Sequence, residues 1–300
     1  MSTESERESW ALDDLRAERN EAGEPLVLRE LRDDGVLLLT LNRPERGNAW
    51  EADMEVAYFD AFDEAVTNPD VRAIVLTGAG KLFCAGMDMA RLHKSSQEGA
   101  SYKMPRRPQT FLLRVPKPVI AAVNGACAGI GLIQAVMCDV RFTSAPAKWT
   151  APFTRLGLPA EDALAWRLQH LAGNAVASDL LLSARVVTGA DVARWGIALE
   201  ALEPADVLPR ALEYAADVAQ RSPTAMAVIK QQLLADAQQG VEISRRRARQ
   251  QLIGLKQHPD FAEGVRAFSA KEVPAFLGLD PSYGCLDDSV DALQPEGYVE

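Results

Sequence analysis

Residues 118–141, PVIAAVNGACAGIGLIQAVMCDVR, constrain the fold more than any other stretch. An apolar run rich in β-branched residues stops at Asn124-Gly125, the pattern of a buried strand entering a sharp turn. Glycines 129 and 131 and a second apolar run follow, so the order reads strand, glycine turn, helix. Glycine lets a backbone approach a ligand closely. A helix beginning at about Ile130 would aim unpaired N–H groups at that ligand, which makes an anion site. A membrane span fits poorly, because Asn124, Gln134 and Asp139 interrupt the run and the Asn-Gly step would break a spanning helix. A dinucleotide fingerprint fits poorly as well: Gly129-Ile130-Gly131 lacks the third glycine, and no acidic residue ends a following strand.

The rest of the chain supplies a core for this element. Of the 300 residues 48% are hydrophobic, enough for one large domain or a domain with a helical appendage. The net charge of −10 argues against a nucleic-acid partner, whose phosphates need clustered cations that only Arg245-Arg246-Arg247 approaches. Cys84, Cys127, Cys138 and Cys285 form no CxxC pair and three lie in apolar stretches, as reduced core thiols do, so a cytoplasmic address is expected. Residues 1–25, acidic and without an apolar signal-peptide core, are expected to lie outside the fold.

From residue 26 the pattern alternates. Residues 26–31 and 36–41 read as a hairpin around Asp33-Asp34-Gly35. Residues 51–66 carry a helical apolar stripe at 54, 58, 59, 62 and 66, and residues 73–77 form a continuous apolar strand of the buried parallel type. That strand runs into Gly78-Ala79-Gly80-Lys81-Leu82-Phe83-Cys84-Ala85-Gly86-Met87-Asp88, so two strands end in glycine loops. In an open parallel sheet, ligands sit where such loops converge, outside the carboxyl ends of the strands. After Gly173 the pattern is helical almost throughout, over residues 175–182, 190–195, 208–221, 224–239, 242–256 and 261–268.

Leu41-Asn42-Arg43-Pro44 with Asn48-Ala49, then Phe83-Cys84-Ala85-Gly86-Met87-Asp88, then Asn124-Gly125 with Ala128-Gly129-Ile130-Gly131 and Cys138-Asp139, resemble in order and spacing the enoyl-CoA hydratase/isomerase (crotonase) superfamily. The likeness covers about residues 26–277. It implies an α/β spiral of ββα units over residues 26–205, a C-terminal helical trimerisation region over 206–278 and a loose tail over 279–300. It also implies an acyl-CoA substrate, assembly as a homotrimer or hexamer, and no cofactor beyond the coenzyme A carried by the substrate. By motif, the oxyanion donors would be the backbone N–H groups of Met87 and Ile130, each worth about 3 kcal/mol to an enolate-like state. Ala85, Gly86, Asp88, Gly129, Arg43 and, from the end of the chain, Phe268 and Lys271 match substrate- and CoA-contacting positions. Asp88 also reads as the cap of a following helix, and Arg43 and Lys271 as solvated cations.

The acid–base positions depart from the family. Where two-glutamate hydratases carry their carboxylates, this chain has Ile133 and Phe153, which removes the usual pair that holds a water molecule. Some isomerase branches, and a group of relatives labelled hydratases, have Glu at the position of Glu161, which makes Glu161 the candidate acid/base. A second role for Glu161 and Asp162 is to favour the start of a helix over residues 163–171. Asp162, its chain neighbour, would not share its face. Trp166 is a candidate for lining an acyl pocket. His93, His170 and His258 lack metal-ligand spacing and no GxSxG elbow is present, so neither a metal site nor a serine hydrolase is expected. Three activities follow: an enoyl-CoA hydratase, the commonest label for such chains; an enoyl-CoA isomerase, which needs only one base; and a non-catalytic acyl-CoA binder.

Overall fold

The computed structural model describes residues 19–98 and 107–279. Residues 1–18, residues 280–300 and Cys285 therefore lie outside the described part. Strands β1 (Val27–Leu31) and β2 (Val36–Leu41) form the opening hairpin, closed by the turn at Gly35. Helix α1 (Ala52–Thr67) follows, then β3 (Ala73–Gly78), α2 (Met89–Glu98) and β4 (Val119–Val123). The two-residue strand β5 (Cys127–Ala128) leads into α3 (Ile130–Met137), β6 (Val140–Ser144) and β7 (Lys148–Thr150). Helix α4 (Leu164–Ser183) is broken at Gly173, whose φ of 78° and ψ of 166° are not helical. The chain continues through β8 (Val187–Thr188), α5 (Gly189–Arg194), β9 (Glu200–Leu202) and the helices α6 (Val207–Ala219), α7 (Pro223–Asp236), α8 (Val241–Leu255) and α9 (Pro259–Ala270).

Six strands pair in the order β1-β2-β3-β4-β6-β9, antiparallel in the hairpin and parallel from β2 onward. A smaller sheet, β5-β7-β8, stands beside it. Strand alternation divides the core in two. Ile74 and Leu76 of β3 with Val119, Ala121 and Val123 of β4 face a large cluster that includes α1 and α3. Ala73 and Val75 with Ile120 and Ala122 face Val207, Ala211, Ala215 and Ala219 of α6. Both faces of the central strands are thus covered, as their unbroken apolar runs require.

Three expectations change. Residues 19–25 are part of the fold: Asn20 donates to Asn42 O at 3.1 Å, and Asn42 returns a bond to Pro25 O at 3.0 Å. The boundary expected at 205 cuts through a core, because α6 covers one face of the central sheet. Strands also continue past Gly173, since β8 pairs with β7 and β9 with β6. Helices α8 and α9 pack differently from α6, with Val241, Leu252, Ile253, Val265 and Phe268 turned outward. No helix among the described residues is long and apolar enough to cross a membrane.

The second helix of the C-terminal set, α7, is tied to the sheet by one ion pair. Lys230 of α7 donates to Asp139 at 2.6 Å and to Lys117 O at 2.9 Å, while Asp139 also accepts from Val119 N–H at 2.7 Å. Removing one partner of a sheltered pair leaves the other charge uncompensated. Lys230→Met is expected to cost about 2–3 kcal/mol in chemical denaturation, somewhat below the range for a fully buried pair because Asp139 keeps some water. A loss under about 1 kcal/mol would show that this pair does not anchor α7.

Candidate active site

Two glycine turns are laced together main chain to main chain. Phe83 and Cys84 donate to Ala126 O at 3.1 and 3.2 Å, and Ala128 donates to Cys84 O at 3.0 Å. Gly86 and Gly129 consequently face each other: a Cβ at Gly129 would stand 3.8 Å from Gly86 Cα. Gly131 admits no side chain, because a Cβ there would meet both Cβ and O of Cys84 at 2.6 Å. The first turn of α3 therefore lies flush on the loop after β3.

The same lacing leaves two amides free. Trp50 N–H donates to Gly86 O at 2.7 Å, and Trp50 O accepts from Asp88 N–H at 2.8 Å. In such a parallel bridge the N–H of the intervening residue points the other way. Among the described residues, Met87 N–H donates to no backbone acceptor. Ile130 opens α3, so its N–H has no acceptor within the helix. Met87 and Ile130 line one cavity of about 250 Å³, together with Ala85, Gly86, Gly129 and Glu161. That N-terminal helix end favours negative charge.

Glu161 reaches the cavity from a turn rather than from a helix. Helix α4 begins only at Leu164, after Asp162 and Ala163 at φ of 47° and 55°, a left-handed pair that L residues seldom adopt. This backbone separates the two acids. Asp162 turns to accept from Gln109 N–H at 3.1 Å, and Glu161 lines the cavity mouth, open to solvent on one side. Desolvation by the surrounding protein, and then the neighbouring Asp162 charge, raises the Glu161 carboxyl above its ordinary value of 4.5. Burial raises Asp162 too, against the Gln109 bond. Ile133 is fully buried and Phe153 forms part of the cavity wall, so the positions of the missing glutamates are apolar in space as in sequence.

The other candidate residues are distributed differently. Asp88 caps α2 by accepting from Ala90 N–H at 2.9 Å, and it pairs with Arg43 at 2.8 Å. Against its partial burial, these partners hold the Asp88 carboxyl below the usual range. Arg43 also donates to Ala49 O, so its guanidinium braces the loop before α1 instead of standing free. Phe268, 88% exposed, and Lys271 at the end of α9 lie outside the Glu161 cavity. Trp166 is a correction: it stacks on His170 in a separate cavity with Arg167 and Lys230, because α4 turns it away from Glu161. Burial pushes the Cys84 thiol up to about 12, so it is no nucleophile at neutral pH. Among the described residues no group of three or more ligating side chains converges for a metal. Sequence reading missed Met89, Leu92, Leu156 and Leu158, which also line the cavity. Their signal was position, in the first turn after the Asp88 cap and in the loop before Glu161.

Fold and cavity together define an α/β protein in which the glycine turns that follow two neighbouring parallel strands line one pocket. Residues 32–278 match the family model described as enoyl-CoA hydratase/isomerase, and the chain belongs to that family. A 1,2-epoxyphenylacetyl-CoA isomerase of Escherichia coli K12 is 31% identical over 252 residues, covering 81% of this chain and 95% of the relative. A 2,3-dehydroadipyl-CoA hydratase of the same organism is 31% identical over 257 residues, covering 85% and 99%. Among solved structures, an enoyl-CoA hydratase from Polaromonas sp. JS666 superposes with a TM-score of 0.78 at 28% identity, covering 83% of this chain and 99% of that one. An enoyl-CoA hydratase from Mycobacterium marinum, EchA12_1, is 45% identical with a TM-score of 0.62, covering 71% and 99%. The fold is the crotonase fold, and the chain is an enzyme of the hydratase or isomerase type.

A base works only when deprotonated. If Glu161 is that base, kcat/KM falls as pH drops through a midpoint above 4.5, the ordinary value from which its carboxyl is raised. Asp162→Asn, which removes the neighbouring negative charge, is expected to move the midpoint downward in a pH–rate profile. A midpoint at or below 4.5 that ignores Asp162→Asn would take Glu161 out of the mechanism.

Proposed function

We propose that this chain moves a proton between carbons of an enoyl-CoA thioester, with Glu161 as the single acid/base and isomerisation of 3-enoyl-CoA to 2-enoyl-CoA as the reaction. One observation carries the reading: among the described residues Glu161 is the only ionisable group in a cavity that also receives Met87 and Ile130. The Glu161 carboxylate takes a proton from C2, and the electron pair moves into the thioester, whose oxygen becomes an enolate. The N–H groups of Met87 and Ile130 stabilise that oxygen, each contributing about 3 kcal/mol. The protonated Glu161 then returns the proton at C4, and the double bond comes to rest between C2 and C3. A carboxyl raised above its ordinary value is better matched to taking and returning a carbon-bound proton.

Hydration of a 2-enoyl-CoA is the second reading, favoured by the names of several relatives. It requires Glu161 alone to orient water where Ile133 and Phe153 offer no partner. The outward apolar residues of α8 and α9 support assembly with further copies, as a homotrimer or hexamer, in which Phe268 and Lys271 would reach the CoA moiety held by a neighbour. Reduced, buried Cys84, Cys127 and Cys138 support a cytoplasmic setting, and fatty-acid metabolism is the matching context. No cofactor beyond substrate-borne coenzyme A is required by this chemistry.

Glu161→Gln is expected to lower kcat about a hundred- to ten-thousandfold while leaving the Kd for an acyl-CoA within about threefold. Unchanged turnover would overturn the assignment and leave thioester binding as the function. Run in heavy-oxygen water with 2- and 3-enoyl-CoA, the wild-type protein is expected to give isomer without label. Labelled 3-hydroxyacyl-CoA would establish hydration instead.

A further inference from the structure

The wall of the Glu161 cavity carries a statement about the acyl group, resting on the reading of this cavity as the acyl-CoA site. Beyond Glu161 and the two glycine turns, the wall is made of Met87, Met89, Leu92, Phe153, Leu156 and Leu158, with Pro152 and Ile130 completing it. Among the described residues no Arg, Lys or His lines it, and neither does a hydroxyl or amide side chain. Two nearby cations are engaged elsewhere, and Arg155, exposed on the turn that carries Phe153 and Leu156, does not line the cavity. Arg43 pairs with Asp88 at 2.8 Å, and Arg91 pairs with Glu55 of α1 at 2.9 Å. The charge that does face the cavity is negative.

We infer that the acyl group is uncharged and apolar, and that an acyl chain ending in a second carboxylate is rejected. A carboxylate in this cavity would lose water without gaining a hydrogen-bond donor or a cation, and would stand beside Glu161, a like charge. Away from Glu161 and the glycine turns, an alkyl chain or a ring meets methyl, thioether and aromatic surface, which is favourable to bury. The volume of about 250 Å³ lies below the range of about 300–1,000 Å³ that holds drug-sized ligands, so the cavity takes the acyl end of the thioester and leaves the nucleotide outside. Met87 and Met89, unbranched and easily repacked, adapt the wall to chains of different shape. This separates the chain from its 2,3-dehydroadipyl-CoA hydratase relative in substrate, though not in fold.

The test compares hexenoyl-CoA with 2,3-dehydroadipyl-CoA, which has the same six carbons and one more carboxylate. The wild-type protein is expected to prefer hexenoyl-CoA at least a hundredfold in kcat/KM, using for each the double-bond isomer it turns over. Comparable values would overturn the inference while leaving the proton-transfer reading intact. If neither thioester is turned over, the proton-transfer reading fails alone, and the two dissociation constants decide: equal affinities overturn the inference, and at least tenfold tighter binding of hexenoyl-CoA upholds it. Leu158→Arg, at a partly exposed wall position, is expected to narrow the preference at least tenfold by supplying the missing cation.

Discussion

Three main-chain hydrogen bonds between the loop after β3 and the loop after β4 hold the site together: Phe83 and Cys84 to Ala126 O, and Ala128 to Cys84 O. They join segments more than forty positions apart in sequence, and they use only backbone atoms. Side chains near the seam are then chosen for what they omit. Gly131 exists because Cys84 occupies the space that a Cβ would take, and Gly125 because Lys81 O stands 1.9 Å from where its Cβ would be. Main-chain donors fixed in this way do not need to reorganise as charge develops, which is the condition under which such donors are most effective.

The sheet makes that seam possible. β3 and β4 are neighbours, parallel and in register at Ile74↔Val119, so their following loops leave the sheet at the same edge and meet. Burial on both faces prevents either strand from slipping, since a shift by one residue would exchange the α1–α3 face for the α6 face. Position of the amides thus rests on packing far from them. The tether of Lys230 to Asp139 and Val119 N–H belongs to the same chain of support, because it fixes the start of β4.

Much of this was legible in the order of residues. The hairpin, α1, β3 and β4 follow from periodicity, and α3 begins at Ile130, between Gly129 and Gly131. The short strands β5 and β8 were not legible: two residues carry no period, and their pairing with β7 is decided by distant partners. Glu161 was placed at a helix start by its neighbours, yet it stands in a turn, because the left-handed pair at 162 and 163 delays the helix. Neither position is glycine, so no residue type there marks that conformation. The destinations of Arg43 and Trp166 were hidden for a related reason, since long side chains go where tertiary partners lie.

The replacement of both customary carboxylates is physically coherent as a set. Ile133 is fully buried beneath the site, and a glutamate there would need a partner that the surrounding apolar core does not offer. Phe153, facing the cavity, similarly adds no polar group to its wall. A carboxylate kept at position 153 would stand in the wall as a like charge to Glu161. With both changed, the wall is apolar and the low-dielectric surroundings strengthen the remaining electrostatic contacts. Glu161, placed at the mouth, keeps enough water to ionise and enough protein to hold its carboxyl above the ordinary range. On the proposed isomerase reading, such a site would give up the ability to hold a second reactant, water, for tighter control of a single proton.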